Sequence, residues 1–155
     1  MNAEENDENK ISIQTSTGYW ITLLARAMEA EFESRLAQYG ITRASAAVLS
    51  AVHFDDIDTP AALATFIGID GAAITRHLDR IEKQGFIRRT QNPNDRRSII
   101  LKLTSKGERL APKVTKESNA TNAKFTTNLT ASENTDIQNL VRKMLLNSDS
   151  KPTDI

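Results

Sequence analysis

The chain has 155 residues, 39% of them hydrophobic and 26% charged, enough for one domain that buries roughly 70% of the surface of its unfolded chain. It contains no cysteine, which excludes disulfides, thiolate metal sites and cysteine redox switching. Its 20 basic and 20 acidic residues cancel but are unevenly placed: residues 1–69 hold 4 basic and 10 acidic (net −6), residues 70–109 hold 10 and 5 (net +5), and residues 110–155 hold 6 and 5 (net +1).

Residues 1–15 carry Glu4, Glu5, Asp7 and Glu8 with few apolar groups, which predicts an acidic tail without fixed structure. The start is acidic rather than basic and then apolar, and no apolar run approaches bilayer-spanning length. No secretory signal and no membrane association are expected, and the cytoplasm is the default location. Over residues 17–39, Trp20, Leu24, Met28, Phe32 and Leu36 recur every four positions with Leu23 and Ala27 beside them, predicting a long amphipathic helix. Gly40 supplies a left-handed stop. A stripe this broad serves two surfaces along its length, the domain's own core and a second chain.

Thr42 is placed to cap a helix from Arg43 to about residue 54, with Ala47, Val48, Ala51 and Val52 as its apolar members. Asp55, Asp56 and Asp58 end it. Thr59 at a cap and Pro60 at the first helical position restart a helix that lasts barely two turns, to Ile67. Gly68 and Ile69 form a tight corner. Asp70 then caps the next helix, with Ile69 and Ile74 as a hydrophobic staple that fixes the angle of entry. A short helix, a glycine-bearing turn and a second helix make the helix-turn-helix pattern.

On this second helix, Ile74, Leu78 and Ile81 share a narrow inward arc, while Ala72, Ala73, Arg76, Asp79, Arg80 and Lys83 lie opposite. Gly71, Ala72 and Ala73 are small residues that let a backbone approach bases and phosphates closely. Thr75 and Arg76 are placed to read groove edges. The alternative is an ordinary surface helix, with Arg76 paired to Asp79 or Arg80 to Glu82. His77 flanks the inward arc.

Gly85 ends the helix and Phe86, Ile87, Arg88, Arg89 and Thr90 enter a strand. Residues 98–103 alternate, with Ile99, Leu101 and Leu103 on one face and Ile100 and Lys102 on the other, as in a half-buried strand. Asn92, Pro93, Asn94 and Asp95 between them are turn chemistry. Arg96 and Arg97 have no folding reason to sit on a solvent-facing turn. At a hairpin tip they can enter a minor groove, whose negative potential attracts guanidinium groups, with Asp95 bracing Arg97 by a bidentate pair. A local basic patch on an otherwise neutral chain is the electrostatic footprint of phosphate contact.

Further on, Ser105 with Glu108 forms a capping box opening a helix past Val114 toward Phe125. Thr130 with Glu133 forms another before Ile137, Leu140, Val141, Met144 and Leu145. The last helix carries an apolar stripe wide enough to need a partner. Residues 147–155 read as a flexible end.

Gly68-Ile69-Asp70, the run from Arg80 to Ile87, Asp95-Arg96-Arg97-Ser98 and the run from Leu101 to Gly107 together resemble the core signature of the MarR family of bacterial transcriptional regulators. The likeness is strong over residues 60–110 and looser over nearly the whole chain. It implies a mostly helical fold with a small β-hairpin: a winged helix-turn-helix over about residues 42–104, with dimerisation helices over about 16–39 and 105–146 of a single domain spanning 16–146. It also implies a homodimer that binds a pseudo-palindromic double-stranded DNA operator, as a repressor. Carried over by position, Thr75 and Arg76 become major-groove readers, Arg80 and Lys83 lie nearer phosphates, Arg97 becomes a minor-groove finger held by Asp95, and Arg96 a phosphate partner. Asp70, Gly71, Ala72 and Ala73 complete the DNA-facing set, and Leu24, Ile137, Leu140, Val141 and Met144 the dimer contact.

The resemblance further implies release by a small, often aromatic and acidic, effector. Trp20, Arg26, Met28, His53 and Phe66 are the candidates to line its pocket, Arg26 holding a carboxylate and His53 donating to it. Each has a plainer role: core or dimer packing for Trp20 and Met28, an ion pair with glutamate for Arg26, a structural hydrogen bond for His53. Two distant histidines, no cysteine and no Gly-rich phosphate loop leave no nucleophile–base pair or metal set, so neither enzymatic activity nor a cofactor is expected. The competing readings are a winged helix that binds protein and a DNA binder without sequence preference.

Overall fold

The computed structural model describes residues 13–95 and 98–147. Among the described residues six α-helices and one hairpin follow in order: α1 (Thr17–Leu36), α2 (Arg43–Phe54), α3 (Pro60–Ile67), α4 (Gly71–Lys83), β1 (Ile87–Gln91), β2 (Ile99–Leu103), α5 (Ser105–Thr126) and α6 (Ala131–Leu145). The strands pair antiparallel, with Ile87 opposite Leu103 and Arg89 opposite Leu101. This is a winged helix-turn-helix joined to long helices at either end.

Side-chain caps start α2, α3 and α4. The Thr42, Thr59 and Asp70 side chains accept from the backbone N–H groups of Ser45, Ala62 and Ala73, satisfying donors that have no partner within the helix. Gly68, at φ 76°, turns the chain between α3 and α4 in the left-handed region where a side chain would be strained. The α1 helix stops at Leu36 and tightens into a 3-10 turn, Ala37–Tyr39, before Gly40.

One expected cap is corrected. α5 opens on Thr104, whose hydroxyl accepts from the N–H of Gly107, rather than on a Ser105–Glu108 box. The Thr104 hydroxyl also donates to the Gly85 carbonyl at 2.7 Å, anchoring the helix start to the chain that leaves α4. Glu108 is drawn instead toward α2, where its Oε2 lies 2.8 Å from His53 Nδ1. The second expected box, Thr130 with Glu133, forms in full.

One core holds the winged helix to α5. Leu36, Val48, Leu49, Leu63, Ile74, Leu78, Ile81, Ile87, Leu101 and Val114 are buried in it, and α5 packs on both α1 and α2. A small network also links α1 to α5: Glu31 accepts from Arg35 Nε at 2.8 Å and from Lys124 Nζ at 2.5 Å, while Glu117 lies 3.5 Å from Arg35 and accepts from the Tyr39 hydroxyl at 3.1 Å. None of the residues of α6 is buried. Among the described residues, no helix is long and apolar enough to cross a membrane.

Candidate nucleic-acid interface

The Asp70 carboxylate receives the Ala73 N–H at 2.7 Å, and α4 leaves this cap with Ile74, Leu78 and Ile81 turned into the core. On its outer side Gly71, Ala72, Thr75, Arg76, Asp79, Arg80 and Lys83 are exposed, and Ala73 is half-buried. The Thr75 hydroxyl donates to the Gly71 carbonyl at 2.7 Å, so its proton is engaged within the helix and its oxygen remains an acceptor.

The outer face keeps its cations because its carboxylates are taken from elsewhere. Arg89 of β1 places Nη1 2.6 Å from Asp79 Oδ1 and 3.3 Å from Glu82 Oε2. Its Nη2 donates to the Thr75 carbonyl at 3.4 Å, and its backbone N–H donates to Glu82 Oε1 at 2.8 Å. Arg76, Arg80 and Lys83 therefore carry no ion pair among the described residues. The surface-helix alternative, in which Asp79 neutralises Arg76 or Glu82 neutralises Arg80, is not the arrangement found.

Sequence reading counted Arg89 among ten basic residues without assigning it a partner. Strand alternation carried the signal: Ile87 and Arg89 share one face of β1, and a charge beside a buried isoleucine needs a counter-charge.

The hairpin turn is closed by hydrogen bonds of the Asn92 N–H to the Ser98 carbonyl and of the Ser98 N–H to the Asp95 carbonyl, both 2.9 Å. Within it the Asn92 side chain accepts from the Asn94 N–H, also at 2.9 Å. The expectations for Arg96 and Arg97, including the Asp95–Arg97 brace, lie outside the described residues. At the middle of β2, the Leu101 N–H donates to the Asp58 carbonyl at 2.7 Å.

The five residues expected to line an effector pocket do not share one cavity in the single chain. Trp20 is 57% exposed and donates its indole N–H to the Gln14 carbonyl at 2.7 Å. Arg26 borders a shallow hollow with Ile13, Tyr19 and Leu23. Met28 lines a different groove, His53 is engaged with Glu108, and Phe66 is exposed on α3.

The groove beside Met28, about 560 Å³, runs between α1, α5 and α6 and is lined by Leu24, Phe125, Leu129, Ile137 and Val141, with Asn122, Asn134, Gln138 and Arg142 at its edges. Leu24, Ile137, Leu140, Val141 and Met144 are all exposed, Leu140 at 59%.

Residues 41–99 match the MarR family. The multiple antibiotic resistance protein MarR of Escherichia coli (strain K12) is 32% identical over 111 residues, covering 71% of this chain and 77% of that protein. Among solved structures, a mutant MarR from E. coli complexed with operator DNA is 29% identical, with a TM-score of 0.75 over 83% of this chain and 92% of that one. The S. aureus MepR–DNA complex shares the fold, with a TM-score of 0.78 at 21% identity, over 86% of this chain and 98% of that one.

Proposed function

The chain belongs to the MarR family, and from that premise we propose that it is a sequence-specific DNA-binding transcriptional regulator, a homodimer that represses from a pseudo-palindromic operator. The observation that carries the proposal is the outer face of α4, where Arg76, Arg80 and Lys83 stand exposed with no ion pair among the described residues. In this reading Gly71, Ala72 and Ala73 let the start of α4 approach the major groove, and Thr75 and Arg76 read base edges. Arg80 and Lys83 meet phosphates. By sequence position, Arg96 and Arg97 follow Asp95 at the hairpin tip and take the adjacent backbone and minor groove.

Dimerisation answers two needs at once. The exposed apolar residues of α1 and α6 require cover, as a patch of this kind seldom faces water in a monomer. Two copies of α4 must also lie about 34–36 Å apart to fall one DNA turn apart. Control by a small acidic effector belongs to the same proposal: Arg26 is exposed and without an ion pair among the described residues, beside a shallow hollow, which leaves it open to a carboxylate.

The test is selection of tight binders from duplexes with a randomised core of about two helical turns. The enriched duplex and a scrambled duplex of equal composition are then titrated across salt concentrations. The expected result is a palindromic consensus, preferred by roughly a thousandfold or more over the scramble, with a steep salt slope. Equal, weak affinity for every duplex favours the protein-binding alternative.

A further inference from the structure

We propose that Arg89 is a positioning residue for DNA binding: it sets the angle between α4 and the hairpin without touching the duplex. This rests on the regulator reading above. A two-stranded hairpin is marginal by itself and takes its orientation from what it is fastened to. β2 is tied to the segment before α3 through the Leu101–Asp58 bond, and β1 is tied to α4 through Arg89. Thr75, Asp79 and Glu82, which the Arg89 side chain reaches, are spaced four and three residues apart, so one guanidinium spans two turns along one flank of α4. Glu82 holds the strand twice, its Oε1 at the Arg89 backbone N–H and its Oε2 at the side chain.

The site also separates Arg89 from its neighbours of like charge. Arg89 stands opposite the buried Leu101 and its side chain is only 25% exposed. The adjacent Arg88, opposite Lys102, is exposed on the other face. A phosphate could reach Arg89 only by displacing two carboxylates and a carbonyl, whereas Arg76, Arg80 and Lys83 meet no such competition among the described residues. The sequence-level count of cations therefore overstates the DNA contact by this one residue. Its effect is indirect: it fixes where the hairpin lies against α4.

The experiment titrates wild type, Arg89→Ala, Arg89→Lys and Asp79→Asn on the duplex enriched in the selection above, at several salt concentrations, with thermal melts confirming that each is folded. A positioning role predicts that Arg89→Ala loses roughly tenfold in affinity with an unchanged salt slope. Arg89→Lys restores part of the loss, because an ammonium pairs with Asp79 but cannot also span to Thr75. Asp79→Asn weakens binding although it removes a negative charge from the DNA-facing side. A slope reduced by about one per protomer in Arg89→Ala would make Arg89 a phosphate contact and overturn the proposal. So would an Asp79→Asn protein that binds as tightly as wild type or tighter. If Arg89→Ala does not fold, Arg89→Lys and Asp79→Asn decide. Failure of the regulator reading is a separate result, in which wild type itself does not distinguish the enriched duplex from its scramble.

Discussion

A methyl group added at Gly107 would stand 2.1 Å from the Phe86 carbonyl oxygen, far inside contact distance. That carbonyl is held there because it accepts the backbone N–H of Thr104 at 3.0 Å, so it cannot retreat without loosening the start of α5. Gly107→Ala is expected to lower stability by about 1–3 kcal/mol in urea denaturation, and an unchanged midpoint would show that the helix start shifts freely. Arg76 is the opposite kind of residue, exposed and without an ion pair among the described residues, so Arg76→Ala should leave the melting temperature nearly unchanged. On the selected duplex it should weaken binding by about 1–3 kcal/mol and relax the preference at one base position; full retention of both would remove Arg76 from base reading. Single residues also mark where sequence reading falls short. Thr104, Ser105 and Glu108 all suit a helix start, and the choice of Thr104 depends on Gly85 and Phe86 carbonyls brought near by the fold. Arg89 was legible as cationic, while its partners ten and seven residues earlier become visible only once β1 lies along α4.

The elements themselves were legible wherever a cap and an apolar period agreed, as at Thr42, Thr59, Asp70 and Thr130. The effector residues were chosen by type from α1, α2 and α3, and no local signal says whether three helices bring them together. Between elements, the α1–α5 link sets a pH dependence. Lys124 and, less strongly, Arg35 hold the Glu31 carboxyl below its ordinary value against the opposing effect of burial. The N–H and hydroxyl of Thr130 do the same for Glu133 at the start of α6. A carboxyl whose folded pKa is depressed stabilises fully above its unfolded value, about 4.3 for glutamate, and loses that contribution as pH falls through the folded value. Unfolding free energy should therefore decline on the acid side of that point, less steeply in Lys124→Met. A rise in stability on acidification, or an identical decline in the variant, contradicts the link. For α6, Leu140→Asp places a charge in the middle of the exposed apolar stripe and should dissociate the proposed dimer in sedimentation. A mutant still dimeric at the same concentration puts the interface elsewhere.

At the scale of the whole molecule, zero net charge hides a division of labour. The glutamates of α1, α5 and α6 are placed in links and caps between or within elements, and the carboxylates of α4 turn toward the hairpin. What remains on the outer face of α4 is cationic, beside a hairpin fastened to the same helix. That arrangement has a direct physical readout, because every phosphate neutralised releases condensed counterions and steepens the dependence of affinity on salt. The decisive measurement is the salt slope of binding to the selected duplex for wild type and for the Arg80→Ala, Lys83→Ala double variant. A slope shallower by about two per protomer in the variant, with its melting temperature preserved, is the predicted result. Equal slopes would mean that this face of α4 does not meet the DNA backbone.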